Sequence, residues 1–233
     1  MKIIGHRGCN ELGGENTCRA INIAIDTRVN GIEMDLRAVD DHIIALHDET
    51  VDRTTNGTGH YKSFSVTKIR RLYCKNGDRI PLLDEILRIS QPFEMLILEI
   101  KEPGIEDSVI RALRKASVLS IQIPGKIVLS SFDLVTSKNL AKKCRNWQFG
   151  LLYKDSFLEA IERAKHLNAS YIHAPLNHIC SRNVDTAHSS GLEIYAYTIN
   201  DPEEYLHCLN CGVDGIFTDK PKRFVTSEIR YER

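Results

Sequence analysis

The chain has 233 residues, 42% of them hydrophobic, and its 31 basic residues balance its 31 acidic residues. This length suits one large domain, and the ordinary apolar content allows a sizeable buried core. A zero net charge without blocks of like charge argues against a nucleic-acid or membrane-surface partner, and no segment approaches the roughly 18 apolar residues of a membrane span.

The cysteines predict a reducing compartment. The chain has seven, an odd number, and the apolar run near Met1 is too short for a secretory signal. We therefore expect reduced thiols in a cytoplasmic protein. Cys208 and Cys211 have the C-x-x-C spacing of some zinc and redox sites. They fall in a helical pattern with no second pair nearby, which favours plain helix cysteines.

Apolar, β-branched runs alternate with helical patterns along most of the chain. The eight predicted strands are Lys2–His6, Gly31–Leu36, Met95–Ile100, Lys126–Ser131, Phe149–Tyr153, Tyr171–His173, Glu193–Thr198 and Gly215–Thr218. Helices are predicted at Thr17–Val29, Leu83–Ser90, Ile105–Ser117, Leu134–Lys143, Phe157–Leu167, Asn183–Ser189 and Glu203–Cys211. This alternation indicates a parallel sheet, and eight units predict an α/β fold of the closed (β/α)8 TIM-barrel type. A doubly wound open sheet would need fewer strands.

One extra strand-like run, Ile43–His47, does not fit the alternation. Only residues 40–42 separate it from the run Gly31–Val39, which continues strand 2 beyond Leu36, and so short a connection joins only antiparallel strands. We predict a hairpin that extends strand 2. A two-residue turn would place His47 opposite Met34, whereas a three-residue turn would place it opposite Asp35. The three-residue turn serves chemistry better, but the pattern leaves both open.

Residues 48–79 show no clear barrel element. The stretch 52–59 is rich in turn residues, and a short helix is predicted at Val66–Leu72. We expect this segment to form a small insertion after strand 2 that packs over the barrel mouth. Residues 1–233 are predicted to form a single domain that includes this insertion.

Acids, cations and a histidine lie at the carboxyl ends of three of the predicted strands. They are His6 and Arg7, Glu33 and Asp35, and Glu99 and Lys101. Active sites of such barrels lie at the carboxyl ends of the strands, so these side chains should meet at one mouth. Side chains alternate along a strand, so Glu33 and Asp35 share a face, as do Glu99 and Lys101.

These residue types suit the metal-assisted cleavage of a phosphoester. Three carboxylates can hold one hard divalent cation, Mg²⁺ or Ca²⁺, whereas zinc prefers nitrogen or sulfur ligands. His6 and His47 can move protons, and Arg7 and Lys101 can bind an anion such as phosphate. A buried salt-bridge network and a glycosidase are the alternatives. The two cations favour a phosphate substrate over a glycoside.

The chain resembles the glycerophosphodiester phosphodiesterase family over nearly its whole length. The matching segments have the sequences HRG at 6–8, ENT at 15–17, EMD at 33–35, HD at 47–48, DRTTNGTG at 52–59, IPLLDE at 80–85, EIK at 99–101, SSF at 130–132 and GIFTD at 215–219. HRG alone is a weak signal. In this order and spacing, the segments together are highly specific.

The resemblance implies a barrel with a small insertion after strand 2. It implies that the carboxylates bind the metal, that His6 and His47 are the acid–base pair, and that Arg7 and Lys101 contact phosphate. It also implies the reaction, in which a glycerophosphodiester and water give glycerol 3-phosphate and an alcohol. The metal ligands on this reading are Glu33, Asp35 and Glu99.

Three features depart from the family pattern. Tyr197 stands where the family often has Trp, which keeps an aromatic face, and we predict that it contacts the substrate. The hairpin turn at 40–42 is one residue shorter than the usual Asp-Gly turn. The segment between Glu11 and Glu15 is short and carries glycines, so no bulky loop closes that side.

Two other functions stay open. One is a lysophospholipase D or a phosphatidylinositol phospholipase C-like enzyme, which would need an exposed apolar rim near the mouth, and the insertion offers none. The other is a catalytically silent phosphodiester-binding protein, which would need a missing acid, histidine or cation. The expected partner is a small glycerophosphodiester. The head group, the choice of metal, the oligomeric state and the first nucleophile are not specified by the sequence.

Overall fold

The computed structural model describes residues 1–118, 125–143 and 146–225. The strands are β1 Lys2–Gly5, β2 Gly31–Val39, β3 His42–Ala45, β4 Met95–Ile100, β5 Lys126–Ser131, β6 Gln148–Leu152, β7 Tyr171–Pro175, β8 Glu193–Tyr197 and β9 Gly215–Thr218. The helices are α1 Asn10–Gly13, α2 Cys18–Thr27, α3 Val66–Ile69, α4 Leu83–Ile89, α5 Glu106–Val118, α6 Leu134–Lys143, α7 Phe157–His166, α8 Ser181–Ser189, α9 Pro202–Cys211 and α10 Lys222–Val225.

The sheet closes into a barrel of eight parallel strands. Its order is β1, β9, β8, β7, β6, β5, β4 and β2, and pairing of β1 with β2 completes the ring. The ninth strand, β3, pairs antiparallel with β2 and stands outside the ring. The predicted (β/α)8 barrel and the hairpin on strand 2 are therefore confirmed.

Local sequence signals fix where the helices begin and end. The Thr17 hydroxyl accepts a hydrogen bond from the Ala20 amide and so caps the start of α2. Asp201 caps α9, which begins with Pro202, where a missing N–H costs nothing. Gly212 ends α9 with φ of +81°, a left-handed conformation that suits glycine.

The barrel has separate inner and outer apolar layers because side chains alternate along each strand. The outer layer packs strands against helices, and Ile32, Met34 and Leu36 of β2 belong to it. The inner layer fills the barrel and is formed by Ile4, Met95, Ile97, Val128, Tyr171, Tyr195 and Phe217. The inward side of β2 consequently carries Glu33 and Asp35.

The insertion has a small apolar cluster of its own. Val51, Tyr61 and Ile69 of the insertion pack with Ile44 and Leu46 of the hairpin. The short helix in this segment, α3, ends three residues before its predicted end at Leu72. The insertion is therefore anchored on the β2–β3 hairpin, next to the strand that carries two of the acids.

The cysteines and the helices bear on two further expectations. Six cysteines lie within the described residues and all are free, including Cys208, which is buried, and Cys211; Cys144 lies outside the described residues. None of the described helices combines the length and apolar character that crossing a membrane requires.

Candidate active site

Three buried acids meet on the inner side of two neighbouring strands. Asp35 on β2 is the register partner of Glu99 on β4, and Glu33 lies two residues before Asp35 on the same face. Their exposed fractions are 4% for Glu33, 1% for Asp35 and 9% for Glu99. One carboxylate oxygen from each lies within 4.8 Å of the others, a cluster of hard oxygen donors that suits one divalent cation.

The electrostatics of this cluster indicate that its negative charge is only partly compensated. Burial, followed by the charge of Asp35, raises the pKa of Glu33 to about 8 and also raises the pKa of Glu99. Glu33 Oε1 and Asp35 Oδ1 are buried and have no hydrogen-bond partner among the described residues. Oxygen atoms so placed are costly unless a cation satisfies them, so the residues present fit a metal.

The two predicted cations lie against the acids. Lys101 Nζ is 2.6 Å from Glu99 Oε1 and 3.4 Å from Asp35 Oδ1. Arg7 Nε is 3.2 Å from Asp35 Oδ2, and Arg7 Nη1 is 2.9 Å from Glu15 Oε1. Burial would raise the pKa of Asp35, but Lys101 and Arg7 together lower it. The expected salt-bridge network thus exists, yet among the described residues Glu33 forms no salt bridge to a Lys or Arg side chain; its Oε2 accepts a hydrogen bond from the Arg7 backbone amide at 3.1 Å.

His6 is held by an acid that directly follows the last barrel strand, β9. Its Nδ1 lies 2.7 Å from Asp219 Oδ1, and since a carboxylate only accepts, Nδ1 carries the proton and Nε2 points toward Glu33, 3.9 Å away. The Asn10 and Asn200 amides donate to Asp219 at 3.0 and 2.7 Å. Burial alone would lower the pKa of His6, but the Asp219 hydrogen bond and the Glu33 charge raise it.

The hairpin turn has two residues, which is one of the two alternatives that the sequence left open. Leu36 pairs with Ala45 and Val39 with His42, which leaves Asp40 and Asp41 in the turn. Asp40 takes φ of +51°, the left-handed backbone that tight hairpin turns require. This register would place His47 opposite Met34, on the outer face.

His47 nevertheless lines the cavity with the acids. Strand β3 ends at Ala45, and the Leu46 amide donates to the Asp35 carbonyl at 3.1 Å. Beyond that bond the chain leaves the ladder, so strand alternation no longer sets the side-chain direction. Arg37 then fixes the His47 carbonyl, donating from Nε and Nη2 at 3.1 and 2.8 Å.

A chain of ion pairs joins His47 to Arg7. His47 Nδ1 lies 2.7 Å from Asp48 Oδ1, and Arg53 donates to both Asp48 oxygens at 2.6 and 3.0 Å. Arg53 also donates to both Glu15 oxygens at 2.6 and 2.7 Å, and Glu15 holds Arg7. Burial lowers the pKa of His47, an effect that the charge of Asp35 and the Asp48 hydrogen bond only partly offset.

One cavity of about 180 Å³ collects these groups at the carboxyl ends of the strands. Its lining includes His6, Arg7, Glu33, His47, Glu99, Lys101 and Tyr197. Asp35 lies behind Arg7 and Lys101, in contact with both. The opposite wall is apolar and aromatic, where the Phe132 ring meets the Tyr197 ring edge-on at 5.9 Å and the Tyr197 hydroxyl donates to the Tyr153 carbonyl at 2.5 Å.

Several residues that hold the site were given no role by the sequence. Asp48, Arg53, Glu15 and Asp219 all fall in the motif segments, so their position was a usable signal. Asn10, Asn200 and Arg37 lie outside those segments, and no pattern marks them.

The fold brings acid–base groups and a carboxylate cluster into one cavity at the strand ends, which is the arrangement of a hydrolytic barrel enzyme. A family model described as the glycerophosphoryl diester phosphodiesterase family matches residues 6–223. The chain belongs to that family and is a phosphoric diester hydrolase.

Individual relatives agree with the family match. Glycerophosphodiester phosphodiesterases from Caldanaerobacter subterraneus and Bacillus altitudinis are each 30% identical to this chain, with 96% of both chains covered. A solved structure of an Oleispira antarctica phosphodiesterase, in complex with the product sn-glycerol-3-phosphate, is 25% identical with a TM-score of 0.86, covering 96% of this chain and 94% of that one.

Proposed function

We propose that this chain hydrolyses glycerophosphodiesters to glycerol 3-phosphate and an alcohol with the help of one divalent cation, Mg²⁺ or Ca²⁺. The observation that carries the proposal is the cluster of Glu33, Asp35 and Glu99, which are buried, mutually close and flanked by His6 and His47 in one cavity. The similar Oleispira structure that contains sn-glycerol-3-phosphate supports the product class.

Glu33, Asp35 and Glu99 would hold the cation. When bound, it would neutralise a nonbridging phosphate oxygen and lower the pKa of a coordinated hydroxyl or water. The charge of the metal would also balance the negative charge of the three carboxylates, which Arg7 and Lys101 now compensate in part. Both cations lie on the cavity wall, so they can then bind the phosphate, while Tyr197 supplies an aromatic wall for the rest of the substrate.

The environments of the two histidines support opposite roles for them in the proposed reaction. The pKa of His6 is raised and that of His47 is lowered, so the favoured singly protonated state has His6 charged and His47 neutral. In this state His47 takes the proton from the attacking oxygen. His6 gives a proton to the leaving alkoxide as the phosphorus–oxygen bond to the alcohol breaks. The attacking oxygen belongs to water or to the substrate's own glycerol hydroxyl.

The proposal is tested by phosphorus NMR of the purified protein with glycerophosphocholine, glycerophosphoethanolamine and glycerophosphoinositol. Each substrate is supplied with Mg²⁺, with Ca²⁺ or with excess EDTA. We expect glycerol 3-phosphate to appear and to be lost in EDTA. Binding of these diesters without product under any condition would instead support a silent phosphodiester-binding protein.

Replacing Asp219 by Asn should move the alkaline limb of the pH profile to lower pH. His6 must be protonated to act, so activity falls as pH rises through its raised pKa. Removing the Asp219 carboxylate takes away the hydrogen bond to charge that raises this pKa. The readout is kcat/KM from about pH 5 to 10. Asp214→Asn is the matched control, because Asp214 pairs with His188 at 2.9 Å outside the cavity; an unmoved limb in Asp219→Asn would contradict the role of His6.

A second candidate function is the cleavage of a lysophospholipid, and a specific surface favours it. Helices α6 and α7 both begin at the barrel mouth, and exposed apolar side chains gather at their starts. They are Phe132, Leu134, Val135 and Leu158. The sequence shows no such rim in the insertion, and in the structure these apolar residues follow β5 and β6. An acyl chain is the substrate part that such a surface would contact.

The lysophospholipid function predicts that an acyl chain on the substrate raises turnover. Turnover of lysophosphatidylcholine should exceed that of glycerophosphocholine in wild type, and a Val135→Asp, Leu158→Asp double variant should lose that excess while keeping glycerophosphocholine turnover. Equal turnover of lysophosphatidylcholine by wild type and the double variant would rule out this surface as the acyl-binding site.

Three expectations from the sequence stay predictions. They are that residues 1–233 act as one domain, that the protein works in the cytoplasm and that its partner is a small molecule rather than a nucleic acid. Limited proteolysis tests whether the chain is one domain, and a gel-shift assay tests whether it binds nucleic acid.

A further inference from the structure

The insertion sends one arginine to the edge of the active site. Arg53 uses three guanidinium nitrogens to donate four hydrogen bonds, two to Asp48 at 2.6 and 3.0 Å and two to Glu15 at 2.6 and 2.7 Å. Paired contacts between a guanidinium group and carboxylates are strong and directional. The Arg53 guanidinium group therefore has a defined orientation, although 49% of the side chain is exposed.

The backbone that carries Arg53 is itself fixed. The Val51 carbonyl accepts from the Thr55 amide at 3.0 Å and from the Thr55 hydroxyl at 2.7 Å, which closes a tight turn around Arg53. Val51 and Thr55 are buried, and Val51 belongs to the apolar cluster that anchors the insertion on the β2–β3 hairpin. The insertion can thus hold the Arg53 side chain at a set place beside the cavity.

Asp48 connects Arg53 to the proposed base, His47. The Asp48 carboxylate only accepts, so the His47 Nδ1 atom that lies 2.7 Å from it carries the proton. The free lone pair is then on Nε2, which can take a proton from an attacking oxygen. The hydrogen bonds from Arg53 are the largest cause that holds the pKa of Asp48 well below its usual range, so this acceptor stays ionised.

Glu15 connects Arg53 to Arg7, which lines the cavity and is proposed to bind phosphate. Arg7 Nη1 donates to Glu15 Oε1 at 2.9 Å, and the same oxygen accepts from Arg53 at 2.7 Å. Two guanidinium groups thus share one carboxylate. Without Arg53 the whole charge of Glu15 would act on Arg7 and draw it away from a phosphate.

Arg53 stands at the centre of a line of five side chains that connects the base to the phosphate-binding group. In order they are Arg7, Glu15, Arg53, Asp48 and His47. The three inner members come from the loop between α1 and α2, from the turn-rich stretch 52–59 and from the segment after β3. Removal of the centre would leave two neighbouring carboxylates that repel each other, and both ends of the line would lose their restraint.

We propose that Arg53 is a positioning residue that orients His47 through Asp48 and Arg7 through Glu15. This inference rests on the proposed function. Through Arg53 the insertion takes part in the chemistry, because it sets the direction of the base and of one phosphate-binding cation. A misplacement of about 1 Å in a reacting group is enough to slow a reaction by about 10²-fold.

Replacing Arg53 by Ala should lower kcat/KM for glycerophosphocholine by about 10²-fold, and Arg53→Lys should recover little, because an ammonium group cannot hold two carboxylates in this planar arrangement. In a His47→Ala background, Arg53→Ala should cost far less, since much of its effect passes through His47. Arg70→Ala should keep kcat/KM and is the matched control, because Arg70 also belongs to the insertion but pairs with Glu85 at 2.7 and 2.8 Å outside the cavity. Equal losses with and without His47 would overturn the inference.

Proton NMR tests the same inference without turnover. His47 and His6 each have an Nδ1 atom 2.7 Å from a carboxylate, so wild type should show two downfield imidazole N–H signals, assigned by their loss in His47→Gln and His6→Gln. Arg53→Ala should lose only the His47 signal, and the remaining His6 signal shows that the variant is folded. Arg53→Lys, which keeps the charge and the bulk, gives the same comparison if Arg53→Ala does not fold. Persistence of the His47 signal in both variants would overturn the inference.

Binding of inorganic phosphate tests the connection to Arg7. Isothermal titration calorimetry in the presence of Mg²⁺ should show that Arg53→Ala weakens this binding by about 10-fold, the equivalent of one hydrogen bond to a charged group. Unchanged phosphate binding would overturn the role of Arg53 toward Arg7. Absence of turnover in wild type, together with selective loss of the His47 signal in Arg53→Ala, would refute the hydrolytic function and leave the positioning role of Arg53 standing.

Discussion

Replacing Glu99 by Gln should lower kcat/KM for glycerophosphodiesters by about 10³-fold, because a bound cation is worth several kcal/mol of charge stabilisation. Glu99 closes the cluster from β4, and its carboxylate lies within 4.8 Å of the Glu33 and Asp35 oxygens. The amide keeps the shape of the side chain but removes the charge that attracts the metal. The measurement is steady-state release of glycerol 3-phosphate at saturating Mg²⁺.

The same variant should lose the rise in Tm that Mg²⁺ gives wild type, since a ligand that binds only the folded state stabilises it. Glu94→Gln is the matched control, because Glu94 precedes β4 at the end opposite the cavity and is exposed. This control should keep both activity and the Mg²⁺ effect. Wild-type turnover in Glu99→Gln would contradict the role of the cluster.

Replacing His6 by Ala should reduce hydrolysis of glycerophosphocholine by about 10²- to 10⁴-fold, the usual contribution of a general acid. In this variant the hydrolysis of a substrate with a p-nitrophenol leaving group should slow far less, because p-nitrophenolate departs without needing a proton. The physical reason is the asymmetry of the pair: Asp219 raises the pKa of His6, and burial lowers that of His47.

His47→Ala is the natural comparison, because loss of the base should slow both substrates alike. The measurement is the ratio of kcat/KM for the two leaving groups in wild type and in each variant. If His47→Ala, rather than His6→Ala, recovered activity with the p-nitrophenyl diester, the two histidines would have to exchange roles.

The barrel could be predicted because its signals are local. Strands such as Met95–Ile100 are short apolar runs whose ends are marked by charged residues, and most are followed by a helical pattern, such as that of α9 with its caps Asp201 and Gly212. Parallel strands then carry His6, Glu33 and Glu99 to one mouth by topology alone. No long-range contact had to be known in advance to gather these residues.

The parts that were missed depend on contacts between distant segments. The pairing of His6 with Asp219 spans 213 residues and forms only because β9 closes the barrel against β1. The position of His47 was left open by the sequence, because a single residue of turn length decides the register. His47 lines the cavity because the chain leaves the strand after Leu46.

The most direct test of the central claim is an anomalous-difference map from a crystal of wild type soaked with Mn²⁺ and sn-glycerol 3-phosphate. The account predicts one peak at about 2.0–2.6 Å from carboxylate oxygens of Glu33, Asp35 and Glu99, with the phosphate between that peak and Arg7 and Lys101. A phosphate bound in the cavity with no peak among the three acids would contradict it.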